Sequence, residues 1–158
     1  MPRSNGAAAR RLASRSIYMM TMRLEPCFGA LFAQVQAEQG RLDILVNNAM
    51  TIPYSMTSSA PFWEKPLADE WDIWDIGLRT AFIASHHAAK IMAPKGSGLI
   101  ACMSGYVGCT YTDDVIFGTT KTATDRMARD MGVELKPHGV ARSRCGRASL
   151  IPSGRLRI

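Results

Sequence analysis

Two short runs in the chain are apolar without alternation: LDILVNNA, Leu42–Ala49, and GLIACMSG, Gly98–Gly105. Such runs are typical of strands buried on both faces, so both are expected as parallel strands. Between them the period changes, in EWDIWDIGLRTAFIASHHAAKIM. Trp71, Trp74, Leu78 and Phe82 lie three and four residues apart, which makes one apolar stripe along a helix. Pro94 and the Lys95–Gly96 turn are expected to stop that helix. A second helix is expected from about Val115 to Leu135, with Met127, Met131 and Leu135 on one face and Pro137-His138-Gly139 closing it. Residues 34–40 read as the tail of a further helix that feeds the first strand. Strand, helix, strand, helix with parallel-type strands predicts an α/β fold, a doubly wound parallel sheet of Rossmann type.

The ends follow neither period, and charge sets them apart. The 158 residues carry a net charge of +6, which taken whole suggests nucleic acid or an acidic membrane as partner. Residues 1–25 hold five arginines and one acid, Glu25, and residues 141–158 hold five arginines and no acid. The centre, residues 26–140, keeps nine basic and twelve acidic residues, a net −3. The expected organisation is therefore a 26–140 domain between disordered or non-native basic segments, 1–25 and 141–158. The Arg clusters lack interleaved aromatics, which argues against nucleic acid. No apolar run is long enough to span a membrane. Cys27, Cys102, Cys109 and Cys145 show no Cys-x-x-Cys spacing, so reduced thiols in a cytoplasmic protein are expected. His86 and His87 are neighbours and diverge on a helix, so they make no metal pair and are expected at the surface. Trp71 and Trp74 are expected as core or subunit-interface anchors, and Asp113-Asp114 as the N-terminal cap of the second helix.

Four features, in order over about Phe28 to Val140, resemble the short-chain dehydrogenase/reductase family, and within it the subgroup called dehydrogenase/reductase member one. LDILVNNA resembles the family's Asn-Asn-Ala-Gly strand end, with Met50 in the glycine's place. Ser104 in MSG resembles the strand-end catalytic serine. Phe117 follows Ser104 by thirteen residues, the family's serine-to-tyrosine spacing, and FGTTKTATDRMA resembles Tyr-x-x-x-Lys-Ala-Ala with Lys121 in register. The resemblance implies an oxidoreductase that moves hydride between NAD or NADP and a small carbonyl or alcohol. In that scheme Ser104 orients the substrate oxygen, while Lys121 lowers the tyrosine pKa and binds the nicotinamide ribose. Asn47, Asn48 and Ala49 line the adenosine side of the crevice. It also implies a homo-oligomer built through the two long helices.

Three departures bear on activity. Phe117 stands at the tyrosine position and has no proton to give. Gly77 stands where many members place a relay asparagine. The Gly-rich turn that cradles the pyrophosphate is missing ahead of Phe28. The family-like centre with foreign ends is expected if both ends are out-of-frame readings of a family gene. An Arg/Ser-rich targeting peptide at the N-terminus and basic tails that touch nucleic acid are the rival readings. The expectation for function is thus an inactive member of the family, with a non-catalytic dimerising module as the alternative.

Overall fold

The computed structural model describes residues 24–112 and 114–145. The segments 1–23 and 146–158, on which most of the reading of the ends rests, lie outside the described residues, as does Asp113. Helix α1 covers residues 24–39. Strand β1 (Ile44–Asn47) follows, then two single 3-10 turns, helix α2 (Leu67–Trp74), a π-helical turn (Asp75–Arg79) and helix α3 (Thr80–Lys95). Strand β2 (Gly98–Met103), helix α4 (Val115–Leu135) and strand β3 (Val140–Cys145) complete the order. The three strands are parallel, in the order β1-β2-β3, and each crossover passes through a helix as parallel pairing requires. The partial Rossmann-type sheet is therefore present.

β3 runs past Val140 into Ala141–Cys145, residues the sequence reading gave to the basic tail. All six of its residues pair with β2, from Gly98 opposite Val140 to Met103 opposite Cys145. Ladder bonds come from the backbone, so an Arg/Ser-rich segment joins a sheet edge without an apolar pattern of its own.

The core lies on one face of the sheet. Phe32 of α1, Ala84, Ala88, Ile91 and Met92 of α3, and Ala128 and Leu135 of α4 bury against Ile100, Cys102 and Val140. Leu45 of β1 is opposite Ile100 in the register and joins them. Ile44 and Val46 have the opposite orientation, and they are 58% and 56% exposed. Parallel strands are ordinarily buried on both faces, and among the described residues nothing covers this one. Replacing Ile44 and Val46 together by threonine keeps β propensity. It is expected to change unfolding free energy by less than about 1 kcal/mol while suppressing self-association, as read by light scattering.

The expected stripe on the first long helix is split: Trp74 and Leu78 are partly buried, while its two ends are not. Trp71 is 58% and Phe82 55% exposed. The π turn at Asp75–Arg79 inserts wider i→i+5 spacing between them and breaks the phase of a 3.6-residue stripe. The buried face of α3 is instead Ala81, Ala84, Ser85, Ala88, Ile91 and Met92, small residues that let the helix lie close to the sheet. Pro94 sits inside the last turn. Gly96, at φ 67°, ends the helix in the left-handed region and donates its N–H to Ala93 and Met92 carbonyls. On α4 the expected face holds: Leu135 is buried, with Met127 and Met131 packed beside it. His87 departs from expectation, because it is half-buried and stacks on Phe32 with ring centroids 5.7 Å apart.

Candidate functional site

β2 ends at Met103, so its direction delivers Ser104 to the carboxyl edge of the sheet, where open α/β folds place their ligand crevices. α4 runs back across that edge and carries Phe117 and Lys121 one turn apart. The structure brings all three expected residues together. Lys121 Nζ donates to the Met103 carbonyl at 3.1 Å and lies 5.8 Å from the centroid of the Phe117 ring. The Ser104 hydroxyl donates to the Lys121 carbonyl at 3.4 Å, a long bond that leaves it free to turn to another acceptor. Lys121 is half-buried, and burial lowers its pKa although Asp125, one turn further on, pulls the other way.

The three β1 residues behave differently from one another. Asn47 Nδ2 donates to Ser85 Oγ of α3 at 2.9 Å and to Cys102 Sγ at 3.6 Å, which ties strand to helix. Burial pushes the Cys102 thiol up, and this contact from Asn47 opposes it. Asn48 and Ala49 are exposed beyond the strand end. With Leu45, Thr80 and Ala84 they line a cavity of about 340 Å³.

A second cavity, of about 800 Å³, opens on the other side of the site, where Phe117 and Val107 share its wall with Tyr111, Met56 and Pro61. What holds that wall in place was invisible in the sequence. Lys65 Nζ pairs with Asp114 Oδ2 at 2.5 Å, with side chains only 2% and 1% exposed. The other oxygen, Oδ1, accepts from the Phe117 N–H at 2.8 Å and caps α4. Asp114 was legible as a cap, because an aspartate before a helical run signals one. Lys65 carried no signal.

Glu70 packs nearby, 8% exposed, with its Oε1 buried and unpartnered among the described residues. Burial pushes its pKa above the ordinary 4.5, aided by the Asp114 and Asp69 charges and opposed by Lys65. A carboxyl with a raised folded pKa keeps its proton longer in the folded chain, so stability falls as pH climbs above 4.5. Glu70→Gln is expected to flatten that decline in urea midpoints measured from acid to neutral pH.

Two departures from the family pattern meet in space. A Cβ built on Gly77, in the π turn, would lie 2.8 Å from Met50 Sδ and 3.1 Å from Thr120 Cγ2. Met50 therefore fills the space an asparagine at position 77 would need. Gly77→Asn alone is expected to cost about 1–3 kcal/mol by overpacking. Met50→Gly in the same chain should recover most of that loss, as a double-mutant cycle in denaturant would show.

A sheet of parallel strands with Ser104, Phe117 and Lys121 gathered at its carboxyl edge defines a Rossmann-type oxidoreductase scaffold. The short chain dehydrogenase family profile matches residues 8–145, a wider span than the motifs alone gave, and the chain belongs to that family. It is 42% identical over 115 residues to dehydrogenase/reductase SDR family member 1 of Mus musculus, covering 71% of this chain and 37% of that protein. The Homo sapiens protein of the same name is 41% identical over the same shares. A 3alpha-hydroxysteroid dehydrogenase of Mediterraneibacter gnavus is 32% identical over 66% of this chain and 42% of its own. The chain thus spans well under half the length of these relatives. Among solved structures, a metagenomic short-chain oxidoreductase in complex with NADP matches with TM-score 0.72 at 22% identity, over 80% of this chain and 56% of that one. A tyrosine-to-phenylalanine variant of ElxO with NADPH bound matches with TM-score 0.69 at 23% identity, over 77% and 49%. Among the described residues there is no cluster that could hold a metal ion and no helix long and apolar enough to cross a membrane.

If a nicotinamide dinucleotide binds, the residues present that would meet its nicotinamide end are Ser104, just past β2, with a hydroxyl, and Lys121, on α4, with an ammonium. For the pyrophosphate the described residues offer no Gly-rich turn.

Proposed function

We propose that the chain is a short-chain oxidoreductase in which binding groups persist and hydride-transfer turnover does not. One observation carries the reading: Phe117 places an apolar ring beside Lys121 Nζ, where the reaction needs a phenol. A bound NAD or NADP would supply the hydride. What this chain contributes is the Ser104 hydroxyl to hold a carbonyl or alcohol oxygen, and the Lys121 ammonium to hold a ribose. Neither group replaces the missing acid, because Lys121 is turned to Met103 and Ser104 to the helix backbone. The ElxO variant is a structural neighbour with NADPH bound while carrying a phenylalanine for a tyrosine. It supports the idea that nucleotide binding and proton transfer are separable here too. A cytoplasmic location accords with this reading. Incubating purified chain with NADPH and a panel of carbonyls is expected to show no turnover above background. Turnover that Lys121→Ala abolishes would defeat the proposal.

The exposed Trp71, Phe82 and Val133, on α2, α3 and α4, favour the second reading, a non-catalytic dimerising module. Sedimentation equilibrium separates the two. A defined dimer lost in Trp71→Ser/Phe82→Ser supports the module, whereas a monomer at every concentration removes it.

A further inference from the structure

We propose that the groove between α1 and α3 binds a small amphipathic carboxylate, an apolar chain with one anionic end. The groove shares no lining residue with the two cavities beside Ser104, Phe117 and Lys121. It therefore stands or falls apart from the proposed function.

The groove encloses about 380 Å³, within the range of about 300–1,000 Å³ usual for small-ligand sites. One wall is a row along α1 from Gly29 to Gln36, and the other runs along α3 from His87 to Lys95. Lining residues fall three and four apart on each helix, so each wall is one helix face. The α3 wall is about 12 Å long at a helical rise of about 1.5 Å per residue. Phe32, Ala33, Ile91 and Pro94 make the walls apolar along that length, which suits an extended hydrocarbon chain.

Charge at the rim sets the sign of the ligand. Lys90 and Lys95 are exposed, and neither belongs to an ion pair among the described residues. No lining residue is acidic. An inorganic anion would leave the apolar walls wet, and a neutral lipid would leave both ammonium groups without a counter-charge. A carboxylate on an apolar chain answers both.

His87 marks the end where the carboxylate lies. Its Nε2 is closed to water and has no hydrogen-bond partner among the described residues, although buried polar atoms are ordinarily satisfied. Phe32 stacks on the ring with centroids 5.7 Å apart. Gly29 stands at the ring's edge, where a Cβ would lie 3.6 Å from His87 Cε1. A half-turn about Cβ–Cγ keeps the stack and puts Nε2 where Cε1 faces Gly29, on the groove. Lys90 is three residues from His87 and shares its helix face. A carboxylate there accepts from Nε2 and from the Lys90 ammonium, in charge-assisted bonds.

The test is equilibrium dialysis of the full chain against radiolabelled decanoate at low ionic strength, with 1-decanol and acetate in parallel. Decanoate is expected to saturate a single site and to bind several-fold more tightly than either control, since decanol lacks the charge and acetate the chain. Lys90→Glu and Ala33→Phe should each weaken it several-fold, one by reversing the rim charge and one by filling the groove. Both positions are exposed, so urea midpoints should match the parent's. His87→Phe keeps a stacking ring without the nitrogen, and should weaken decanoate while leaving decanol unchanged. In the parent chain, a diazirine analogue of decanoate should crosslink to residues 29–36 and 87–95. No saturable binding, decanol bound as tightly as decanoate, Lys90→Glu and Ala33→Phe without effect, or crosslinks only elsewhere, each overturns the proposal. No nucleotide is added, so failure here leaves the proposed function standing, and NADPH turnover would leave this site standing.

Discussion

Asp114→Ala is expected to destabilise the chain by about 3–5 kcal/mol, measured as unfolding free energy in urea. The loss has two parts. Removing the carboxylate takes from the Lys65 ammonium its hydrogen-bonded counter-charge in a place closed to water, since its side chain is 2% exposed, and leaves only the more distant Glu70. A buried charge stranded in this way accounts for most of the effect. The second part is the α4 cap, for the same aspartate accepts from the Phe117 N–H, and losing such a cap costs about 1 kcal/mol. Small domains hold about 5–15 kcal/mol in all, so the variant should be close to unfolding at room temperature. Lys65→Met should cost less, because Asp114 then keeps the α4 N–H and the positive end of the helix. Lys65→Met with Asp114→Asn should cost less than the two single losses added together, since no unpaired charge remains. The pair also sets an upper pH limit. Its hydrogen bond to Asp114, opposed by burial, raises the Lys65 pKa above 10.5. Its contribution is thus complete below 10.5 and disappears as pH rises through the higher folded value. If Asp114→Ala unfolds within 1 kcal/mol of the parent, or so, the pair is a solvated surface contact despite its covered side chains.

The sequence showed the elements that depend on local period and spacing. Leu42–Ala49 and Gly98–Gly105 contain β1 and β2 because parallel strands have nowhere polar to point. α4 was bounded correctly at both ends, by an aspartate cap and a proline-glycine stop. Ser104, Phe117 and Lys121 were legible as a set because strand end and helix turn fix their relation whatever surrounds them. The failures were tertiary. Trp71, Trp74, Leu78 and Phe82 were read as one apolar stripe, with the two tryptophans as core or subunit-interface anchors, and the two ends of that stripe are exposed. A π turn altered the phase, and alanines took the sheet-facing positions. Lys65 is the opposite case, a charged residue in a loop that only its distant partner makes a buried one. β3 beyond Val140 was missed because edge pairing is done by the backbone, which composition does not show. Met50 and Gly77 were read as two separate departures from the family. In space they are one, a methionine occupying the volume that a glycine leaves open.

Phe117→Tyr should have the largest effect on chemistry. It adds one oxygen at the para position of a ring that α4 already holds. The N–H of residue 117 is fixed on Asp114, and the ring stands 5.8 Å from Lys121 Nζ. The phenol would then have a cation one helical turn away to lower its pKa and Ser104 across the site to share the substrate oxygen. General acid catalysis by a positioned group is worth about 10²–10⁴ in rate. Carbonyl reduction with NADPH is expected to rise by that factor over the parent, in protein shown by fluorescence titration to bind NADPH. Lys121→Ala in the tyrosine variant should remove the gain, because the phenol then loses the charge that tunes it. Three results distinguish the possible sites of damage. A gain that depends on Lys121 makes Phe117 the decisive lesion in a site otherwise intact. NADPH binding without a gain shifts the fault to the relay position, where Gly77 and Met50 leave no polar side chain. Absence of NADPH binding places the fault at the pyrophosphate end, for which the described residues supply no cradle, and no change at position 117 could then be felt.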